Sequence, residues 1–200
     1  DAEPRTTDDI QEENADMDQP FGDAVTDAPG DGPTREIRFI DAIQEGLKQS
    51  MERYPDLVLM GQDIADYGGV FKITDGFVAE FGKARVRNTP LCESAIVGVG
   101  LGLSIKKKKS MVEMQFADFV TCGFNQIVNN LAKSHYRWGQ NADVVVRMPT
   151  GAGSAAGPFH IHSTEAGCTH APVLKVVDPS NPHDAKDLLS ARCADPTPVW

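Results

Sequence analysis

The chain has 200 residues, of which 40% are hydrophobic, and a formal net charge of −10. This length is enough for one domain of ordinary size and a tail, and no apolar run approaches the ~20 residues that a membrane-spanning helix needs. An acidic balance also argues against the basic surface of a nucleic-acid-binding domain. We therefore expect a globular domain that binds neither a membrane nor a nucleic acid.

The negative charge is concentrated in the first 34 residues. This segment holds 11 of the 29 acidic residues and one of the 19 basic ones, so residues 35–200 carry 18 of each and are neutral. Residues 1–34 contain few large apolar side chains and several Pro and Gly, and such a segment cannot bury enough surface to offset its ordering entropy. We predict a disordered acidic linker or tail over 1–34 and one domain over 35–200.

From residue 35 onward, helical and strand patterns alternate. Apolar residues at helical spacing distinguish the helices, and short apolar runs bounded by polar residues distinguish the strands. In chain order the sequence predicts a helix ending before Pro55, a strand over 56–63, a helix over 94–104, a strand over 110–116, a helix over 121–139, a strand over 142–149, a Gly-rich loop over 151–167, a strand over 173–179, a helix over 181–194 and the start of a strand over 197–200. This alternation indicates an α/β fold, a mostly parallel sheet with helices on both faces.

Polar and Gly-rich segments should converge at one edge of this sheet, where the carboxyl ends of the strands form ligand sites. These segments are "GQDIADYGGVF", "NTPLCES", "QFADF", "RMPTGAG" and "FHIHS". Glu93 lies among them, at the start of a predicted helix. A carboxylate in the first turn of a helix is stabilising by ~0.3–1 kcal/mol, so Glu93 is by itself either a helix cap or a functional group.

The segment "HIHSTEAGCTH" contains His160, His162, Cys168 and His170, which are side chains of the types that bind zinc. The segment is a flexible loop without CxxC or HExxH spacing, so a loop histidine that donates a proton or contacts a substrate is favoured over a metal site. His160 and His162 are two residues apart in an extended loop, and we expect their side chains to point to opposite sides. The four cysteines are predicted to be reduced thiols, three of them in or near the core.

Four long segments carry a resemblance to a known family: "FIDAIQEGLKQSMERYPDLVLMGQDIADYGGVFKITDGF", "VRNTPLCESAIVGVGLGLS", "VEMQFADFVTCGFNQIVNNLAKSHYRWG" and "VRMPTGAGSAAGPFH". They resemble the beta chain of thiamine-dependent 2-oxo acid dehydrogenases. This is the decarboxylating first component of the pyruvate and branched-chain 2-oxo acid complexes, within the transketolase superfamily. The resemblance covers residues 35–200 almost continuously and implies the family's pyrimidine-binding domain.

The resemblance implies roles for five residues. Glu93 falls on the glutamate that contacts N1′ of the cofactor's aminopyrimidine, where a carboxylate favours the imino tautomer needed to remove a proton from the thiazolium ring. Leu91, Gln115 and Phe119 are expected to line the pyrimidine pocket. His160 falls on the histidine implied in proton transfer during acylation of the lipoyl group.

The implied cofactors are thiamine diphosphate, magnesium held by the alpha half, and a structural potassium ion. The potassium ligands would be the backbone carbonyls of Val144 and Cys193 together with Asp195. Two departures stand out: His162 replaces an expected Gln or small polar residue, and Thr197 replaces an Asn at the potassium site. A Gly-Asp-Gly tripeptide at 30–32 matches part of the magnesium–diphosphate motif, but no predicted strand precedes it and no suitable Asn follows, so we reject it.

The resemblance also implies partners. These are an alpha chain, or an alpha half of one fused polypeptide, a second beta chain and a lipoyl-bearing acyltransferase, with a branched-chain 2-oxo acid or pyruvate as substrate. Residues 35–200 alone are expected to be inactive, and the location implied is the cytoplasm of a bacterium or the mitochondrial matrix of a eukaryote. The alternatives are acetoin dehydrogenase or another transketolase-superfamily enzyme, and a non-catalytic α/β binding module in which Glu93 is only a helix cap.

Overall fold

The structure is a computed structural model that describes residues 35–151, 156–194 and 198. The predicted linker over 1–34, Asp195, and all of the predicted strand over 197–200 except Pro198 lie outside these residues. No helix in the described part of the chain is both long and apolar enough to cross a bilayer.

Helices and strands alternate along the chain. The strands are β1 (Val58–Gly61), β2 (Val86–Asn88), β3 (Ser110–Glu113) and β4 (Val144–Arg147). The helices are α1 (Phe39–Arg53), α2 (Phe77–Phe81), α3 (Glu93–Ile105), α4 (Val120–Asn125), α5 (Ala132–Trp138), α6 (Glu165–Thr169) and α7 (Pro182–Ala194). A 3₁₀ turn, Ala117–Phe119, precedes α4, and a π-helical segment, Gln126–Leu131, joins α4 to α5.

The four strands form one parallel sheet in the order β2-β1-β3-β4. Parallel sheets are stable only when both faces are covered, because their crossover connections pass over the faces. The predicted α/β fold, with a mostly parallel sheet and helices on both faces, is confirmed for the part of the chain that the structure describes.

Alternation of side chains along the strands divides the core into two layers. One layer packs Met60, Val112 and Val144 against α3 and the α4–α5 helical segment. The other packs Leu59, Met111 and related residues against α1, α2 and α7. The central strands are therefore apolar on both faces, which explains their nearly continuous apolar runs.

Local signals explain where the helices end. Pro55 disfavours a helical conformation at Tyr54, and α1 ends at Arg53, as the sequence predicts. The predicted helix over 121–139 corresponds to α4, the π segment and α5. Gly139 closes it with a left-handed conformation (φ 65°), the conformation that glycine adopts at helix C-termini without steric cost.

Three short elements, β2, α2 and α6, are absent from the sequence prediction, because five residues or fewer give too little periodicity. The predicted strand over 173–179 is wrong for the described residues, where only Lys175 makes a bridge contact; its N–H donates to the carbonyl of Pro198 at 3.3 Å. An extended run becomes a strand only where a neighbour pairs along its length, and the residues around Pro198 lie outside the description.

The prediction of three cysteines in or near the core is also wrong. Cys92 and Cys122 are exposed, whereas Cys168 and Cys193 are buried. Burial raises the pKa of each buried thiol to about 11, because the apolar surroundings disfavour the thiolate.

The close packing of α3 on the sheet provides a test of the core. A Cβ on Gly100 would lie 3.1 Å from methyl carbons of both Val112 and Val144, whereas a Cβ on Gly102 would meet nothing within 4 Å. We expect Gly100→Val to lower the free energy of unfolding by about 1–3 kcal/mol through overpacking. Gly102→Val is the matched control and should change it by less than about 0.5 kcal/mol. Urea denaturation measures both, and equal losses would contradict this packing.

Candidate active site

Glu93 is the first residue of α3 and is buried, with 7% of its surface exposed. Its Oε1 accepts a hydrogen bond of 3.0 Å from Nε2 of Gln62, the residue that follows β1. A helix cap would instead accept a backbone N–H of the first turn. The carboxylate of Glu93 is therefore tied to the edge of the sheet by a side-chain amide.

The segment between β2 and α3 positions Glu93 at this edge. The N–H of Thr89 donates to the carbonyl of Gly61 at 2.9 Å, and the side-chain oxygen of Asn88 accepts the N–H of Ala65 at 2.8 Å. These bonds hold the segment before α3 against the end of β1. On the other side, a Cβ on Gly123 would lie 3.4 Å from the carbonyl oxygen of Glu93, so a glycine there lets α4 pack closely against the start of α3.

A buried ion pair occupies the ends of the next two strands. Arg147, the last residue of β4, donates to Oε2 of Glu113, the last residue of β3, from Nη2 at 2.6 Å and from Nε at 3.2 Å. The two side chains are only 12% and 10% exposed. Gln62, Glu93, Glu113 and Arg147 thus bring polar groups to the same edge of the sheet, as expected for the carboxyl ends of parallel strands.

His160 lies against aromatic rings. Its imidazole meets Phe116 edge-on at a centroid distance of 4.8 Å and Phe119 at 5.4 Å. Its Nδ1 is buried and has no hydrogen-bond partner among the described residues. The structure therefore brings His160 and Phe119, both predicted site residues, into direct contact.

His162 has a different environment from His160. Its imidazole is 65% exposed, and its Nδ1 lies 2.8 Å from Oδ1 of Asp118, in the turn between Phe116 and Phe119. Among the described residues, no group of three or more His, Cys, Asp or Glu side chains is arranged to hold a metal ion.

The remaining predicted site residues are more widely distributed. Leu91 is 80% exposed, just before α3, and Gln115 is partly buried, just after β3. Val144 begins β4 and packs in the layer with α3, whereas Cys193 lies near the end of α7 in the other layer. Asp195, the third predicted potassium ligand, lies outside the described residues, so the potassium site stays a prediction.

A cavity of about 560 Å³ is lined by His160 and Phe116 together with apolar residues of α1, β4 and α7. Glu93, Leu91, Gln115 and Phe119 do not line it. The predicted cofactor residues therefore lie outside this cavity, whereas His160 reaches it.

Four residues at this edge were not assigned by sequence: Gln62, Glu113, Asp118 and Arg147. All but Glu113 fall in the polar segments expected at the strand ends, "GQDIADYGGVF", "QFADF" and "RMPTGAG". Their pairings, Gln62 with Glu93 and Glu113 with Arg147, follow only from the strand order.

The buried ion pair makes a stability prediction. Arg147→Met leaves Glu113 buried without its cation, and we expect a loss of about 3–5 kcal/mol in the free energy of unfolding. The double variant Glu113→Gln/Arg147→Met should lose less, because no lone charge remains. In the exposed Lys48–Glu80 pair, Lys48→Met is the control and should cost at most about 1 kcal/mol. Urea unfolding measures all three, and a double variant less stable than Arg147→Met would contradict the prediction.

Comparison with known proteins finds relatives of this chain. The chain is 44% identical over 165 residues to a 2-oxoisovalerate dehydrogenase subunit beta of Bacillus subtilis (strain 168), covering 82% of this chain and 50% of the relative. It is 37% identical over 165 residues to a pyruvate dehydrogenase E1 component subunit beta of Leifsonia xyli subsp. xyli (strain CTCB07), covering 82% and 49%. The chain thus spans about half the length of these curated relatives.

A solved structure and a family match complete the comparison. A split gene transketolase, described as an inactive beta4 tetramer, superposes with a TM-score of 0.64 at 22% identity, covering 82% of this chain and 50% of that one, which supports the fold. The sequence pattern of the transketolase pyrimidine-binding domain matches residues 35–200. With its parallel sheet and its buried glutamate at the carboxyl edge, the chain belongs to the transketolase pyrimidine-binding domain family.

Proposed function

We propose that residues 35–200 supply the pyrimidine-binding half of a thiamine diphosphate site in the first component of a 2-oxo acid dehydrogenase. The observation that carries this proposal is the environment of Glu93, a buried carboxylate at the carboxyl edge of the sheet. Its Oε1 is hydrogen-bonded to the side chain of Gln62, which follows β1, and not to the backbone of its own helix. A buried carboxylate is costly unless something binds it. A ring nitrogen of an aminopyrimidine is a suitable partner.

The side chains around Glu93 and His160 fit such a group chemically. Oε1 of Gln62 and Nδ1 of His160 are buried and have no partner among the described residues. Oε1 could accept a hydrogen bond from a bound molecule, and Nδ1 could accept or donate one. Phe119 offers an aromatic ring for packing against a heterocycle. When bound, thiamine diphosphate supplies a carbon nucleophile that adds to the oxo group of the substrate and accepts the charge left when carbon dioxide departs.

In this site, Gln62 and the predicted catalytic and cofactor-binding residues each have a defined role. Glu93 accepts a hydrogen bond from N1′ of the pyrimidine and stabilises the proton there, and Gln62 orients its carboxylate. Leu91, Gln115 and Phe119 form the walls that position the ring. His160 moves the proton required when the acyl group passes to a lipoyl group.

The second half of the site belongs to a partner chain in this proposal. Glu93 and Phe119 do not line the neighbouring cavity, so that cavity does not supply the rest of their site. The apolar side chains of Leu91, Val99 and Ile105 lie exposed before and along α3, where a partner chain would bury them. We assign that surface to an alpha chain or alpha half, which also holds the diphosphate and magnesium.

Further parts of the assembly follow from the same proposal. They are a second beta chain, a lipoyl-bearing acyltransferase and a potassium ion on the carbonyls of Val144 and Cys193 with Asp195, a set of oxygen donors that suits a hard cation. The substrate is a branched-chain 2-oxo acid or pyruvate, the classes named for the two relatives above. We expect this activity in the cytoplasm of a bacterium or the mitochondrial matrix of a eukaryote, and not in the isolated chain.

The role of Glu93 is tested by Glu93→Gln in the complete enzyme. An amide cannot stabilise a protonated N1′, so we expect decarboxylation to fall by about 10²–10³-fold, the range lost when a key electrostatic contact is removed. Steady-state decarboxylation measures the loss, and circular dichroism controls for the fold. Activity within a few-fold of the unmodified enzyme would contradict a catalytic role for Glu93.

The division of the site is tested by titrating thiamine diphosphate and magnesium into this chain alone and into its complex with the alpha partner. We expect binding only in the complex, because the diphosphate contacts lie on the other chain. Isothermal titration calorimetry measures both affinities. Tight, magnesium-dependent binding by this chain alone would refute the shared site.

A further inference from the structure

The loop that carries His160 is bound to the rest of the protein through side chains. Between Ala156 and Thr164 the described backbone forms no helix or strand, and Gly157 adopts a positive φ of 74°. Thr164 donates to the carbonyl of Ala117 at 3.4 Å, and Thr150 donates to the carbonyl of His162 at 2.9 Å. Because regular secondary structure does not set its position, these side-chain contacts have to do so.

Asp118 contacts this loop at His162. Its Oδ1 accepts the backbone N–H of His162 at 3.3 Å and lies 2.8 Å from Nδ1 of the same residue. One carboxylate oxygen thus binds both the side chain and the main chain of His162. We call this arrangement the Asp118–His162 clasp.

The clasp connects the two structures that surround the ring of His160. Asp118 lies in the Ala117–Phe119 turn, between the two phenylalanines that contact that ring, and His162 is two residues beyond it in the loop. Nδ1 of His160 has no partner among the described residues. The aromatic contacts and the position of the loop therefore determine where this ring lies. The clasp affects both, because Asp118 lies between the two phenylalanines and His162 lies in the loop.

Asp118 is also a buried group, in contrast to a surface ion pair. Its side chain is 9% exposed, and its Oδ2 is buried without a hydrogen-bond partner among the described residues. Removing the imidazole of His162 would leave this carboxylate with less compensation for its burial. His183 on α7 provides the contrast, because it and the two carboxylates beside it, Asp184 and Asp187, are each about half exposed.

We propose that Asp118 and His162 are positioning residues that hold the loop so that His160 faces the acyl-transfer site. The proposal rests on the proposed function, in which His160 moves a proton during acylation of a lipoyl group. The assignment gives His162 a role of its own in this chain: it holds the loop through Asp118 and does not act on the reacting atoms.

The test compares four variants of this chain in the assembled enzyme: His162→Ala, His162→Asn, His160→Ala and the double variant His160→Ala/His162→Ala. His162→Asn keeps a side-chain nitrogen about where Nδ1 lies, so it should keep the contact with Asp118. Three quantities are measured: single-turnover acylation of a lipoyl domain, decarboxylation with an artificial electron acceptor, and hydrogen–deuterium exchange of the peptide over 156–164. His183→Ala is the matched control.

We expect His162→Ala to slow acylation by about tenfold, the effect of one hydrogen bond to a charged group, and to leave decarboxylation within about twofold. It should speed exchange in the peptide over 156–164, and His162→Asn should recover most of both effects. In the His160→Ala background, His162→Ala should cause no further slowing beyond about twofold, because it acts through His160. His183→Ala should change none of the three quantities.

Two results would overturn the positioning role. One is unchanged exchange and acylation in His162→Ala; the other is a double variant whose slowing is the product of the two single effects. Failure of the proposed function looks different, since the unmodified enzyme would then neither decarboxylate a 2-oxo acid nor acylate a lipoyl group. The exchange measurement would still report whether Asp118 and His162 hold the loop, because it does not require turnover.

Discussion

Parallel pairing of β1 with β3 is the constraint on which the rest of this structure depends. It aligns Gly61 with Glu113, and a Cβ on Gly61 would lie only 2.9 Å from the Cβ of Glu113. Parallel strands place their carboxyl ends at one edge, so residues far apart in sequence meet there. Pairing of β1 with β2 brings Gln62 and Glu93 together, and pairing of β3 with β4 does the same for Glu113 and Arg147. The pairing of β1 with β3 joins these two halves of the edge.

The two layers of the core have different relations to this edge. The layer with α3, α4 and α5 supports the start of α3 and therefore Glu93, whereas the layer with α1 and α7 lies beside the cavity that reaches His160. Glu93 is held by the sheet and a helix. His160 is held by a loop and two aromatic rings, so its position depends on a few polar contacts.

This difference matches the chemistry proposed for the two residues. A carboxylate that must stay next to one ring nitrogen benefits from a position on rigid secondary structure, because small displacements weaken a hydrogen bond steeply. A histidine that transfers a proton to a group carried by another protein must be accessible to that group. Loops lie at the surface and provide this access, but they are more mobile than helices and strands. The Asp118–His162 clasp offers a way to recover order while the loop stays open to its partner.

The sequence by itself determined the fold class and the edge of the sheet at which polar side chains collect. Apolar periodicity was sufficient for α1, α3 and the helical segment that follows Phe119, and the apolar runs were sufficient for β1, β3 and β4, because these elements are long or strongly patterned. The polar segments after the strands also indicated the site edge. Of the predicted site residues, the resemblance nominated Glu93, Leu91, Gln115, Phe119 and His160, and their roles remain proposals.

Only the tertiary structure decided which of these groups meet. The pairing of Gln62 with Glu93 spans 31 residues, and that of Asp118 with His162 spans 44. Neither could be predicted from local pattern, because strand order and loop path, not spacing along the chain, set such distances. The same reason explains why the short strand β2 could not be predicted from its own residues. A strand of a few residues forms only where the sheet provides a neighbouring strand to pair with.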